Sequence, residues 1–404
     1  MIQEFYITNF YSIRERQGLS FLPYNGDGML EQYTHEVRPG VRLLKLGIVY
    51  GANASGKSTM LLALDFFRRL MVERPESKAV QLDFLPFLLD DRSRDEHSGM
   101  EMTFYVDGVR YSISLEFDRK RIYNERLVMY TSVRPTVLYN REYDDAGDHS
   151  VVTFGARSGL GKKSQHIISG NTINNCTVMA AFGQSNVEMS QLNKVYDYFS
   201  HNLRPMLQPK TEMMSNVKTI LGRKDDGAFK RFLLQVLQVS DFNITDLSVT
   251  EDESQTRELV FRHTGDGGIY ELAEEVESQG TKRFMGMALM LYELLRDNCF
   301  IPIDEVETSI HYELLAYFFK LFLANSEGTS QLLATTHDIN LLNENFIRRD
   351  VIWFTDKSKL GTTLVKHLSS LGLHKTLSPY NAYRQGKLVR LPFTGSPFLD
   401  IDQE

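Results

Sequence analysis

The alternation of apolar and polar positions divides the chain into stretches of two periods. Residues 2–8 read as a strand. Arg42 to Tyr50 reads as a buried one, with Leu43, Leu44, Leu46, Ile48 and Val49 nearly continuous. A helix is predicted from about Gly56 to Met71, carrying Leu61, Leu62, Leu64, Phe66, Phe67 and Leu70 on one broad face. From Met100 to Tyr130 the period drops to two. Met102–Val106, Tyr111–Phe117 and Ile122–Tyr130 predict an antiparallel meander turned at Asp107-Gly108. Residues 141–175 are polar and glycine-rich and read as loops, with limited strand around Val151–Phe154. From about 185 to 239 the pattern is helical, in pieces at Ser190–Leu203, Thr211–Leu221 and Gly227–Val239, broken by Pro205 and Pro209. Strands return at 244–250 and 257–263. The remainder alternates: helix 280–297, strand 299–303, helix 309–325, strand 330–335, helix 338–344, strand 350–355. Such alternation predicts an α/β fold with a parallel sheet and flanking helices. No internal repeat and no sustained heptads appear.

Composition narrows this picture only in places. The 404 residues are 42% apolar and 24% charged, as in a soluble globular protein of one large or two ordinary domains. The net charge of −7 argues against a surface that binds nucleic acid as a whole. A local contact stays open at Arg119-Lys120-Arg121, Lys162-Lys163, Arg223-Lys224 and Arg348-Arg349, although solvated charges account for these clusters. Cys176 and Cys299 lie far apart in no metal-ligand pattern, and their scarcity fits a reducing cytoplasm. No basic stretch followed by an apolar run opens the chain. No window approaches the roughly 18 apolar residues of a membrane helix. A cytoplasmic protein without a membrane partner is expected.

Two segments carry candidate chemistry. Gly51-Ala-Asn-Ala-Ser-Gly-Lys57-Ser58-Thr59 matches G-x-x-x-x-G-K-[ST], with a buried strand running in and a helix running out. Glycines let backbone N–H groups turn toward phosphates, and the helix adds its positive end. Asn53, Ala54, Ser55, Gly56, Lys57, Ser58 and Thr59 are the expected ATP contacts, with Lys57 reaching the outer phosphates and Ser58 ligating Mg²⁺. Phe300-Ile-Pro-Ile-Asp304-Glu305 ends an apolar strand in two carboxylates. Asp304 is expected to hold Mg²⁺ and Glu305 to polarise the attacking water as general base. Glu307 adds a third carboxylate, either a supporting group or a solvated loop residue.

The order of the remaining motifs completes a resemblance. Glu277-Ser278-Gln279-Gly280-Thr281-Lys282-Arg283 opens a helix ahead of the acidic strand, and Leu332-Leu-Ala-Thr-Thr-His337-Asp338 ends another strand in histidine. Phosphate loop, signature helix, acidic strand and histidine strand follow the order of ABC ATPases. The chain resembles in particular the SMC-like branch of bacterial phage-defence and abortive-infection systems, the RloA type. Ile7-Thr-Asn-Phe-Tyr-Ser-Ile13 and, more loosely, Ser378–Gly386 also look like that branch. The resemblance covers residues 1–72 and about 270–390. It implies an ABC-type P-loop ATPase head with an antiparallel β lobe and a helical insertion. The head would divide as 1–75 with the phosphate loop, 76–180 as the β lobe and loops, 181–243 as the insertion, and 244–404 with the signature, acidic strand and histidine. It further implies that Ser278 and Gly280 touch the γ-phosphate held by a second subunit and that His337 senses the phosphate in its own. Gln279 stands where the usual signature has glycine, and His311 where an aspartate is usual. No Q-loop glutamine can be placed; Gln81 is a bare candidate.

The span between Lys57 and Ser278 has room for a short coiled coil but reads as strands and short, proline-broken helices, which argues against a long antiparallel one and for a helical lobe or stubby arm. The stretch after His337 is too short for an attached nuclease of the kind some relatives carry. The expected function is an ATP hydrolase that works as an ATP-bridged dimer and gates a separate effector, a nuclease or toxin, in anti-phage defence. The rivals are a DNA repair or replication ATPase of the SMC-like kind and an ATP-binding scaffold with little turnover.

Overall fold

The structure, a computed structural model, describes residues 1–24, 28–132, 134–208, 213–223, 227–240, 242–251, 257–374 and 377–390. Pro209, Thr211 and Lys224 lie outside these residues. The chain opens with the antiparallel pair β1 (Ile2–Thr8) and β2 (Gln17–Ser20), then the hairpin β3 (Thr34–Arg38) and β4 (Val41–Leu44). β5 (Leu46–Gly51), buried at every position, leads through the phosphate loop into α1 (Lys57–Val72). The run Arg42–Tyr50 is therefore two strands rather than one. The chain changes sheet at Lys45, whose N–H donates to the Tyr33 carbonyl at 2.8 Å. Apolar residues flank Lys45 on both sides, so the pattern alone hides the break.

A seven-stranded antiparallel sheet forms the lobe. β6 (Ser98–Val106), β7 (Val109–Phe117), β8 (Ile122–Tyr130), β9 (Thr136–Asp144) and β10 (His149–Phe154) follow one another as a meander, and the sheet runs β10-β9-β8-β7-β6-β1-β2. Asp107 and Gly108 both take positive φ, 47° and 76°, the geometry that closes a two-residue hairpin with the right twist. The loops expected over 141–175 include the end of β9, all of β10 and the helix α2 (Lys162–Asn171). Only Ile168 of that helix is buried, which leaves almost no apolar stripe to read. The next helix, α3 (Val178–Gly183), escapes for the opposite reason: Val178 to Phe182 are all buried, so no polar face marks a period.

α4 (Ser190–Asp197) runs on as a π-helical turn through Tyr198–Asn202, followed by α5 (Met214–Leu221) and α6 (Gly227–Val239). A second antiparallel sheet has three strands, β11 (Ile244–Glu251), β12 (Arg257–Gly265) and β13 (Gly268–Ala273). β13 is exposed along almost its whole length and is not apparent in the sequence pattern. The signature helix α7 (Gln279–Arg296), β14 (Phe300–Ile303), α8 (Tyr312–Asn325), β15 (Gln331–Thr336), β16 (Ile352–Lys357) and β17 (Thr363–His367) follow, then a short helix α9 (Pro379–Arg384). Segment 339–343 is a 3₁₀ turn, where a regular helix is predicted. The central sheet is β14-β15-β5-β16-β17, parallel except for β17.

Two apolar cores meet along α7. The large core joins the central sheet, α1 and the lobe. Phe67 of α1 meets Phe5 edge-on at 5.6 Å between centroids, and Phe66 lies 5.6 Å from Phe117. The second core packs α5, α6, β11 and β12 against Phe284, Met285, Ala288 and Leu289 of α7. Met287, Met290, Leu291 and Leu294, on another face of α7, belong to the large core. Each such fully buried side chain contributes roughly 1.5–3 kcal/mol.

The lobe is tied to α1 through a buried charge. Arg141 and Glu125 are fully buried, 3.8 Å apart. Arg141 donates to the carbonyls of Ile173, Asn174 and Cys176, and Glu125 accepts from the Val178 N–H at 2.7 Å and from the Tyr139 hydroxyl. Thr177, in the loop so held, donates to the Leu70 carbonyl near the end of α1. Burial raises the Glu125 pKa and lowers that of Arg141. For each, desolvation opposes the charged form and its partner offsets it. Glu125→Ala should therefore destabilise the protein by roughly 3–5 kcal/mol, because it strands a buried guanidinium. The paired change Glu125→Leu with Arg141→Met should cost less. Urea unfolding of both variants checks this; a loss in the paired variant as large as that in Glu125→Ala would contradict it.

Candidate functional site

The phosphate loop is shaped by two left-handed residues. Ala54 has φ 60° and Gly56 has φ 101°. A Cβ on Gly56 would fall 2.1 Å from Thr363 Oγ1, so only glycine fits there. A set of hydroxyls pins the loop. Ser55 Oγ lies 2.6 Å from Thr355 Oγ1, and Thr363 Oγ1 donates to the Ser55 carbonyl at 2.9 Å. Ser12 Oγ lies 2.9 Å from Thr59 Oγ1 and 2.8 Å from Thr363 Oγ1. Thr355 and Thr363 stand on β16 and β17, some 300 residues from the loop. Their part was missed because nothing in the local sequence marks it.

Lys57 is buried and folds back on the loop, donating to the carbonyls of Gly51 at 2.9 Å and Ala52 at 3.1 Å. Burial lowers its pKa, an effect that Asp304, Glu305 and Glu307 oppose. Ser58 donates to Asp304 Oδ2 at 2.7 Å. A hydroxyl and a carboxylate oxygen thus face one point beside the loop, the hard donor set that Mg²⁺ takes. Asn53 and Ala54 are exposed on the outer curve of the loop.

The acidic strand and the histidine strand are neighbours, and Thr335 between them holds the Asp304 carboxylate and the Glu305 backbone. Its hydroxyl donates to Asp304 Oδ1 and accepts the Glu305 N–H. Sequence reading overlooks Thr335; only the β14–β15 register brings it to the acids. Glu305 has φ 46°, a strained conformation for a non-glycine residue. Its Oε1 lies 3.7 Å from His337 Nε2, and His337 Nδ1 is 3.4 Å from Lys57 Nζ. Glu307 is no idle loop residue: its Oε1 accepts the His337 N–H at 2.6 Å. Lys57, Ser58, Asp304, Glu305 and His337 therefore form one connected cluster.

Ser278 and Gly280 stand apart from it. Ser278 caps α7, accepting the Thr281 N–H at 3.0 Å. Among the described residues no hydrogen bond or ion pair joins Ser278 or Gly280 to residues 51–59. His311 is exposed and caps α8 through the Glu313 N–H. Gln81 is exposed in a groove with Phe66, Arg69 and Pro75 at the far end of α1, roughly 20 Å along the helix from the loop. Of the basic clusters, Arg348 is buried and paired with Asp350, and Arg349 donates to the carbonyls of Leu373 and His374. That pair holds the fold rather than a surface. Among the described residues no helix is long and apolar enough to cross a membrane.

A phosphate loop, acidic strand and histidine strand on one parallel sheet, beside an antiparallel lobe and a helical insertion, define an ABC-type P-loop ATPase head. The family model described as "AAA domain, putative AbiEii toxin, Type IV TA system" matches residues 48–172 and 208–343, and the chain belongs to this family. It is thereby an ATPase of the general AAA class, which uses ATP, generally with Mg²⁺. Among solved structures it is similar to the SMC head domain from Thermotoga maritima, at 13% identity over 91% of this chain and 98% of that one, with a TM-score of 0.42. It is also similar to the SmcHead bound to the C-winged helix domain of ScpA, at 12% identity over 90% and 97%, with a TM-score of 0.46. No curated protein matches the chain.

Gly56→Ala should weaken ATP binding at least tenfold. A left-handed alanine costs roughly 1–2 kcal/mol, and the Thr363 contact adds to it. Titration with a fluorescent ATP analogue checks this, and unchanged affinity would mean that the loop adapts without glycine.

Proposed function

We propose that two copies of this chain bind ATP between them and hydrolyse it, each site combining the phosphate loop of one copy with Ser278 and Gly280 of the other. The observation that carries this is the split within the chain. Lys57, Ser58, Asp304, Glu305 and His337 are bonded into one cluster, whereas Ser278, at an exposed helix start, makes no bond to its own loop. Asn53–Thr59 would cradle the phosphates, and Ser58 with Asp304 would hold Mg²⁺. The ion, when bound, would offset charge on the outer phosphates. Glu305 would accept the proton of the attacking water, and His337 would contact the outer phosphate, oriented by Glu307.

On this reading the chain acts in the cytoplasm as an ATP-dependent switch for a separately encoded effector, a nuclease or toxin, in anti-phage defence. The motif resemblance supports that assignment, as does the toxin–antitoxin description of its family. The second core offers a mechanical route, since α7 carries Ser278 at one end and packs the insertion along its length.

Three substitutions test the shared site. Lys57→Ala should weaken ATP binding by about 1.5–3 kcal/mol or more, through the loss of a charged phosphate contact. Glu305→Gln should retain binding, slow phosphate release roughly 10²–10⁴-fold and accumulate a closed dimer visible by light scattering. Wild-type turnover by that variant would remove Glu305 as the base. Ser278→Arg should leave ATP binding by a single copy intact and block association and hydrolysis. Mixing Ser278→Arg with Lys57→Ala chains should then restore part of the hydrolysis, because one site of the mixed dimer combines intact Lys57 with intact Ser278. Normal hydrolysis by Ser278→Arg alone would reduce the chain to a generic phosphate-loop ATPase.

A further inference from the structure

Arg283 lies on the first turns of α7, five residues past Ser278, and is 9% exposed. Its Nε and Nη2 are buried without a hydrogen-bond partner among the described residues. A guanidinium does not shed its proton, so it remains a charge out of water with donors unused. Leaving such groups unmet is costly, and the arrangement calls for an anion. The carboxylate whose field acts on it is Glu307. Glu307 is itself half satisfied: Oε1 accepts the His337 N–H, while Oε2 is buried and unpartnered. Among the described residues no ion pair joins Arg283 to Glu307.

The connection between them is a turn with two strained pivots. Glu305, at φ 46°, and Ser309, at φ 61°, flank Glu307 in left-handed conformations. The second pivot rests on the signature: a Cβ on Gly280 would lie 3.4 Å from the Ser309 carbonyl. Internal bonds, Thr308 N–H to Glu305 and Ile310 N–H to Glu307, both at 3.0 Å, make the turn move as a piece. A shift of the first turn of α7 therefore bears on Ser309, and through the turn on Glu305 and on the carboxylate that orients His337.

We propose that Arg283 is a positioning residue: when Ser278 engages ATP on a second copy, Arg283 and Glu307 close into an ion pair that sets Glu307, and with it His337 and Glu305, for hydrolysis at the other site. This rests on the shared-site reading above. Within one chain Ser278 serves one nucleotide and His337 the other, so the pair carries occupancy from site to site. Arg283 itself touches neither nucleotide.

The test is a double-mutant cycle on steady-state hydrolysis in Arg283→Gln, Glu307→Gln and the double variant. Each single change should lower kcat roughly tenfold, the value of one charge-assisted hydrogen bond, with KM for ATP within about twofold. The double variant should be no worse than either single one, since both break one contact. Arg283→Lys should recover part of the rate, and the exchange Arg283→Glu with Glu307→Arg more than either half alone. Additive losses would overturn the proposal, as they would show two separate roles. A raised KM with unchanged kcat would also overturn it, by making Arg283 a nucleotide contact. If Arg283→Gln fails to fold, Glu307→Gln in the Arg283→Lys background completes the same cycle. Wild-type hydrolysis with Ser278→Arg inactive, beside a fully active Arg283→Gln, sinks this pair and leaves the shared site standing. Normal hydrolysis by Ser278→Arg sinks the shared site itself.

Discussion

The pairing of β15 between β5 and β14 is the constraint on which the candidate site depends. Ala334 stands level with Ile48 on one side and Ile303 on the other, so the three strand ends rise together. Gly51 then opens the phosphate loop, Asp304 and Glu305 leave β14 one and two positions past that level, and His337 follows β15. A slip of one residue in either pairing would turn the acids or Thr335 to the opposite face. The hydrogen bond from Ser58 to Asp304 spans residues 246 apart in sequence and exists only in this register.

Around this ladder the loop is held from the side of β16 and β17. Thr355 and Thr363 supply hydroxyls to Ser55 and its carbonyl, and Thr363 also reaches Ser12. A loop so pinned has its backbone path set before any phosphate arrives. Such preorganisation lowers the entropy lost on binding. Gly56 is the conformational condition for the close approach of Thr363.

The placement of α7 gives the fold its second organising feature. One helix carries the signature at its start, shares the large core on one face and closes the insertion's core on another. Among the described residues, α5, α6, β11 and β12 share their apolar core with α7. Packed side chains move together because interiors are dense. On the proposed shared-site reading, a displacement of these elements would be felt at Ser278, and Ser309, at the end of the strained turn from Glu305, lies against Gly280.

Local rules made several parts of this protein legible in its sequence: the phosphate loop with its incoming strand and outgoing helix, the meander turned at Asp107-Gly108, and the acidic and histidine strand ends. Each rests on spacing within a few residues, which backbone geometry translates directly into structure. Elements without contrast stayed hidden: α3 because it is apolar throughout, α2 and β13 because they are mostly exposed, and the break at Lys45 because both flanking strands are buried. Tertiary structure alone decided the rest. It made Thr335, Thr355, Thr363 and Ser12 part of the site, turned Glu307 toward the His337 amide and left Nε and Nη2 of Arg283 buried without a hydrogen bond among the described residues. Those relations join positions up to 351 residues apart. They are fixed by strand order and register, which arise from packing of the whole chain and leave no trace in any local pattern.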